Sequence, residues 1–194
     1  MRPEIKKRFE TTYAKLFKPE MKILGVALRE DFSLKREDIE ESCLIKHPHE
    51  PNVTDMIKLI KEYKEKWNCT HIFVATMYED SISLLEKEFG DLLIYTGRKR
   101  IDASKNSQWT KKWEKYLSAP DELYIWANEE RNKQFSDFFK KEFVVNYMEE
   151  MYGLSKCNCF LTAKNGGSLV ACIWNGGKYE ELKILEDENK SNLY

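Results

Sequence analysis

The sequence has 194 residues, enough for one domain of ordinary size. Apolar residues make up 42% and charged residues 34%, a foldable composition that excludes a disordered chain. Lys and Arg total 32 against 33 Asp and Glu, a net charge of −1, so no global basic field draws nucleic acid and any anion site must be local.

The charged N-terminus lacks the apolar core of a signal peptide. No apolar run approaches the ~20 residues of a membrane span. A cytoplasmic protein is expected. Residues 3–17 carry Ile5, Phe9, Tyr13, Leu16 and Phe17 at helical spacing, with Pro3 in the first turn and Pro19 beyond the end. The run 21–28 is a first strand. It empties into Arg29, Glu30 and Asp31 and then into a polar loop, 29–52, far longer than the ~2–6 residues usual between a strand and a helix.

A second helix follows over 53–67, with Met56, Ile57, Ile60, Tyr63 and Trp67 on one face. Residues 71–76 form a second strand, and 79–89 a helix closed by Gly90. Residues 92–96 form a third strand, stopped by Gly97. Residues 98–128 are a polar excursion whose tryptophans, 109, 113 and 126, read as packing anchors rather than stacking platforms. A long helix is expected over 132–155, a fourth strand over 157–162, a glycine turn into a helix over 168–174, and a last strand over 179–185. Strands alternating with amphipathic helices predict an α/β domain: a Rossmann-like parallel sheet with helices on both faces. The division expected is an N-terminal helix, 1–20, and one domain, 21–194.

Five cysteines, 43, 69, 157, 159 and 172, are scattered, and Cys157 and Cys159 have no second pair at zinc spacing. They read as reduced, buried thiols. His47 and His49, two residues apart in an extended loop, face opposite ways without an evident third ligand, so no metal site is expected. Neither a GxxxxGK[ST] loop nor a GxGxxG turn is present, which argues against a P-loop enzyme and an ordinary dinucleotide dehydrogenase.

Ligands of open α/β sheets sit beyond the carboxyl ends of the strands. Arg29 and Asp31, then Thr76, Met77 and Tyr78, then Thr96, Gly97 and Arg98, and finally Lys164 to Ser168 all fall there. Two readings of the last turn stay open. Gly166 and Gly167 make a tight turn and Ser168 caps a helix. Alternatively, their N–H groups and the helix dipole receive an anion, to which Arg29 adds a forked contact.

In this order, "LGVALREDF", "HPHEP", "IKLIKEY", "CTHIFVAT", "EFGDLLIY", "LSKCNCFL" and "NGGSLVACIWNGGKYEELKI" resemble the donor-binding half of bacterial GDP-fucosyltransferase-like glycosyltransferases. That superfamily holds the α-1,2-, α-1,6- and protein O-fucosyltransferases, with two Rossmann domains in a GT-B arrangement. The resemblance spans about Lys22 to Leu185 and leaves 98–128 unmatched.

It implies a nucleotide-sugar donor, GDP-fucose, with no cofactor and no metal. It also implies a glycan or polysaccharide acceptor, as in polysaccharide biosynthesis, and direct displacement at fucose C1. Arg29 would grip the diphosphate as the catalytic cation, with Asp31 and Thr76 beside it. Glu150 would read the guanine edge, and Asn165, Gly167 and Ser168 would hold phosphate.

Three departures stand out: Glu30 replaces a small neutral residue after the arginine, Met77 and Tyr78 replace acids after strand two, and Asn158 replaces an aspartate. Only 20 residues precede strand one. The acceptor side of the cleft is therefore expected from a separate N-terminal domain, the chain being a truncated form of such an enzyme. Two alternatives stand beside this reading: a catalytically degenerate nucleotide-sugar-binding or partner module, and a generic α/β protein with no nucleotide site.

Overall fold

The computed structural model describes residues 1–28, 53–98, 100 and 141–185, with the backbone alone for 141–143. The expected long loop 29–52, the excursion from 101 onward, the start of the long helix, 132–140, and Cys43, His47 and His49 lie outside the described residues.

In chain order the elements are α1 (Pro3–Leu16), β1 (Ile23–Ala27), α2 (Val53–Lys66), β2 (His71–Ala75), α3 (Glu79–Phe89), a 3-10 turn (Gly90–Leu92), β3 (Leu93–Ile94), α4 (Lys141–Leu154), β4 (Cys159–Ala163), α5 (Gly166–Asn175) and β5 (Glu181–Leu185). The five strands make one sheet in the order β3-β2-β1-β4-β5. Every pairing is parallel, and β1 at the centre sets Val26 between Val74 and Leu161.

Parallel strands buried on both faces read as continuous apolar runs, and all five residues of β1 are buried. Alternate residues sort them into two cores. Leu24, Val26, Ile72, Val74, Cys159 and Leu161 meet Met56, Ile60, Ile82 and Leu85 of α2 and α3. Ile23, Ala27, Phe73, Ala75 and Phe160 meet Phe9, Tyr13, Met151, Leu154 and Ala171 of α1, α4 and α5. Helices thus cover both faces, as the alternation of elements implies.

The N-terminal helix shares this second core. A Cβ on Gly153 would overlap the Tyr13 ring, so the glycine is a notch that lets α1 lie on α4. The Tyr13 hydroxyl donates to the Glu149 carbonyl at 2.9 Å, while Arg8 and Thr12 donate to the Glu149 carboxylate. Gly25 makes a similar allowance in β1, where a Cβ would stand 3.0 Å from Cys157 Sγ.

Boundaries differ from the periodic reading at several elements, and the first strand spans Ile23–Ala27 rather than 21–28. The third strand pairs over Leu93–Ile94 only, because Tyr95 turns its hydroxyl to Glu86 and Thr96 turns its own to Glu150. The fourth begins at Cys159, since Cys157 still bonds back to Leu154 in the helix exit. The fifth begins at Glu181, because the Tyr179 ring packs on Phe160 and its hydroxyl donates to the Leu154 carbonyl. The glycine pair lies inside α5 rather than before it.

At the amino edge, Asn158 clips three strands together. Its Oδ1 accepts from the Ile23 N–H at 2.9 Å and its Nδ2 donates to Glu180 at 3.0 Å, while Lys22 pairs with Glu180 at 2.7 Å. The departure at this position therefore faces away from the carboxyl edge and serves the sheet. No described helix is long and apolar enough to cross a membrane.

Candidate functional site

In the order β3-β2-β1-β4-β5 the direction of strand addition reverses between β1 and β4. Connections leave these two neighbours toward opposite faces, which opens a crevice beyond their carboxyl ends. Leu28, whose N–H still bonds the Ala75 carbonyl at 2.9 Å, delivers the chain to one wall. Arg29 and Asp31 come next and lie outside the described residues. Ala163 delivers the chain to the other wall, which is the start of α5.

That helix start is built by Asn165. Its backbone is extended, its Oδ1 accepts from the Ser168 N–H at 2.9 Å, and the Ser168 hydroxyl faces the Asn165 N–H at 3.0 Å, a reciprocal capping box. Ser168 is therefore committed to the helix, by amide and hydroxyl alike. Gly167 is committed too: a Cβ there would overlap the Tyr147 hydroxyl and stand 2.9 Å from Met151 Sδ, so its lack of a side chain seats α5 against α4. Gly166 differs. It is exposed, and a Cβ on it would meet nothing within 4 Å. The N–H groups of the first helical turn have no partner within the helix, and the helix dipole adds partial positive charge there. Gly166 and Gly167 supply the first two of them.

Thr76 follows β2. Its hydroxyl accepts from the Tyr78 N–H at 3.3 Å, and its carbonyl accepts from Arg98 at 2.8 Å. Glu150 projects from α4 and is fully buried. Its Oε2 pairs with Arg98 at 2.8 Å, and its Oε1 pairs with Arg100 at 3.0 Å and accepts from Thr96 at 2.9 Å. Both carboxylate oxygens are thus taken inside the protein, and Glu150 organises two arginines rather than standing exposed to a base. Burial pushes its carboxyl up from the ordinary glutamate range, and the two guanidiniums push it back down. Burial likewise lowers Arg98, with Glu150 opposing.

Arg100 also donates to the Thr96 carbonyl at 2.8 Å and lies over the Tyr95 ring. Together these groups tie the end of β2, the exit of β3 and α4 into one clasp carrying an excess of one positive charge. Arg98 falls among the residues expected at this edge, whereas the part played by Arg100 is new. Arg100 falls in the stretch read only as a polar excursion, and the partner that buries it lies 50 residues on.

Of the expected site residues, the structure places Thr76, Glu150, Asn165, Gly167 and Ser168 at this edge and uses the side chains of Thr76, Glu150, Asn165 and Ser168 within the fold. The described cysteines, 69, 157, 159 and 172, are free thiols, and among the described residues no group of three His, Cys, Asp or Glu gathers as metal ligands.

No protein-family model matches this sequence, and no curated protein matches it by sequence. Solved structures match by fold. NodZ α-1,6-fucosyltransferase, co-crystallised with GDP, is similar over 97% of this chain at a TM-score of 0.50 and 12% identity. The apo form of POFUT1 is similar over 94% of this chain at a TM-score of 0.51 and 10% identity. The chain spans less than half of either, 45% of the first and 46% of the second. At these identities the likeness is one of fold: a Rossmann-like parallel α/β sheet found within fucosyltransferases.

Proposed function

We propose that this chain is the donor-binding portion of a fucosyltransferase-like glycosyltransferase, and that it takes a guanosine diphosphate sugar, GDP-fucose, at the β1/β4 crevice. Residues 21–194 would form that nucleotide-sugar-binding domain. The observation that carries the reading is the convergence on one switch point of the chain leading to Arg29 and of an open helix N-terminus at Gly166 and Gly167. Backbone N–H groups at such an end suit a diphosphate, and a forked guanidinium adds a charge-assisted contact. Asn165 shapes the turn, Thr76 and Ser168 lie at the same carboxyl edge, and Asp31 would stand beside the crevice in this reading.

Arg29 and the helix end would stabilise the charge that grows on the leaving diphosphate as C1 of fucose passes to an acceptor hydroxyl, the role of preorganised donors in transfer chemistry. A glycan or polysaccharide acceptor would enter from a second lobe. The clasp of Arg98, Glu150 and Arg100 fixes the neighbouring edge at the ends of β2 and β3, and Glu150 would act on the donor only through it.

Calorimetric titration with GDP and with ADP tests this. GDP is expected to bind at least tenfold tighter than ADP, and Arg29→Ala to abolish binding. Equal affinity for the two nucleotides would overturn the proposal.

One observation favours a second reading, a module that binds the donor without turnover. Ser168 and Glu150, two expected donor ligands, spend their polar atoms on the fold. Release of fucose from GDP-fucose by the purified chain would exclude it.

A further inference from the structure

The β5 strand is the outer strand of the sheet among the described residues, and it is exposed on both faces. An uncovered edge presents unpaired N–H and C=O groups to any strand that fits. Register puts Leu182 beside Phe160 and Ile184 beside Thr162, on the face covered by α5. Both stay well exposed, at 45% and 38%.

The α5 helix adds to this surface. Gly167 lies against α4, which itself crosses β1 and β2. The opposite flank of α5 therefore looks toward the β5 side. Leu169 and Ile173, one helical turn apart, lie opposite the buried stripe of α5 and are 62% and 66% exposed. Two exposed apolar side chains thus line the open strand edge, and two more stand exposed on the helix that precedes it in the chain.

We propose that a second copy of this chain covers this strand edge, with the two β5 strands pairing antiparallel across a twofold axis so that the two five-stranded sheets become one. The strand is self-complementary in that register. With Leu182 opposite its symmetry mate, Glu181 of each copy faces Lys183 of the other, so each axis-related pair is of opposite charge. Shifting the centre to Lys183 would put two lysines face to face, and like charges directly opposite are unfavourable. At each end of the pairing Glu180 of one copy, already held by Lys22 and Asn158 of its own chain, faces Ile184 of the other. Isologous contacts of this kind are the commonest route to dimers.

The test is analytical ultracentrifugation of the full chain across a concentration series, with two variants. Lys183→Glu turns both cross-axis pairs repulsive and is expected to weaken association roughly tenfold or more. Adding Glu181→Lys reverses the charges and is expected to restore it. Both positions are exposed, so neither change should disturb the monomer. The expected result is a wild-type dimer, a monomeric Lys183→Glu chain and a dimeric double variant. A monomeric wild type would overturn the proposal, as would a dimer indifferent to Lys183→Glu or a double variant no tighter than the single.

Discussion

Replacing Glu150 removes the carboxylate that pairs with both Arg98 and Arg100, and the size of the effect can be set out in advance. The carboxylate is fully buried, and the two arginine side chains are 4% and 2% exposed. Neither guanidinium can recover water without moving the backbone that carries it. Removing one partner from such a group costs about 3–5 kcal/mol, because charge is left buried and unpaired. Against a total stability of about 5–15 kcal/mol, that is a large share. With a urea slope of about 2–3 kcal/mol per molar, the midpoint should fall by roughly 1–2.5 M.

Glu150→Gln is the sharper variant, since it keeps an acceptor for the Thr96 hydroxyl while deleting the charge. The triple variant Arg98→Met, Glu150→Leu, Arg100→Met should recover at least half of the loss, because no charge then remains to be solvated. Recovery is not complete, as the Thr76 and Thr96 carbonyls lose the donors they now have. The assay is urea unfolding followed by circular dichroism. A Glu150→Gln midpoint within about 0.4 M of wild type, equivalent to under ~1 kcal/mol, would refute the reasoning. A triple variant no more stable than the single would refute it too.

Gly153→Ala should cost about 1–3 kcal/mol in urea unfolding, because the clash with the buried Tyr13 ring outweighs the gain of ~1 kcal/mol in helix propensity. Asn165→Ala should lose about 0.5–2 kcal/mol with its cap, whereas Asn165→Asp keeps the cap and places a carboxylate where the diphosphate is proposed. Asn165→Asp should therefore leave the melting curve in place and weaken GDP binding roughly tenfold in calorimetry, a change of about 1.4 kcal/mol; unchanged affinity would remove the nucleotide from that helix end.

The buried thiols set an alkaline limit. Burial raises Cys157 well above the ordinary thiol range and Cys159 to about 12. In the unfolded chain both titrate near ~8.5. Above that pH the unfolded state holds fewer protons than the folded one, so stability must fall as pH rises, by up to about 1.4 kcal/mol per pH unit for each thiol. A urea midpoint unchanged between pH 8 and pH 10 would contradict this.

The sheet is legible in the sequence because its strands are short and buried on both faces. Runs such as 71–75 can be little else between two amphipathic helices. Helix ends at Gly90 and Gly176 are legible for a local reason, since both adopt positive φ, which glycine accepts without strain. What the sequence hides depends on distant partners. Tyr179 alternates like a strand residue, yet its hydroxyl is claimed by Leu154. The start of α5 is hidden because two glycines suggest a turn, whereas the bond between Asn165 and Ser168 carries the helix back over them. Arg98 reads as a ligand-edge cation and Arg100 as part of a polar excursion until α4 supplies Glu150 to both. Asn158 reads as a residue of the fourth strand, but the strand begins one residue later and the amide instead holds Ile23 and Glu180 at the amino edge.

The placing of β1 at the centre of the sheet bears on how the chain is made on the ribosome. One side of β1 pairs with β2 soon after it emerges. The other side must wait for β4, since Ile23 and its tether Asn158 are 135 residues apart. At bacterial-to-eukaryotic elongation speeds of ~5–20 residues per second, that wait is on the order of ten seconds. Throughout it, an apolar strand edge and the apolar face of α1, whose seat on α4 is not yet made, are open to other chains. A nascent chain arrested before Cys159 should be cut readily by protease across α1 and captured by chaperones, and one arrested well past Leu185 should resist both. The first half of this protein is thus held, while it is being made, in a state whose completion belongs to the second.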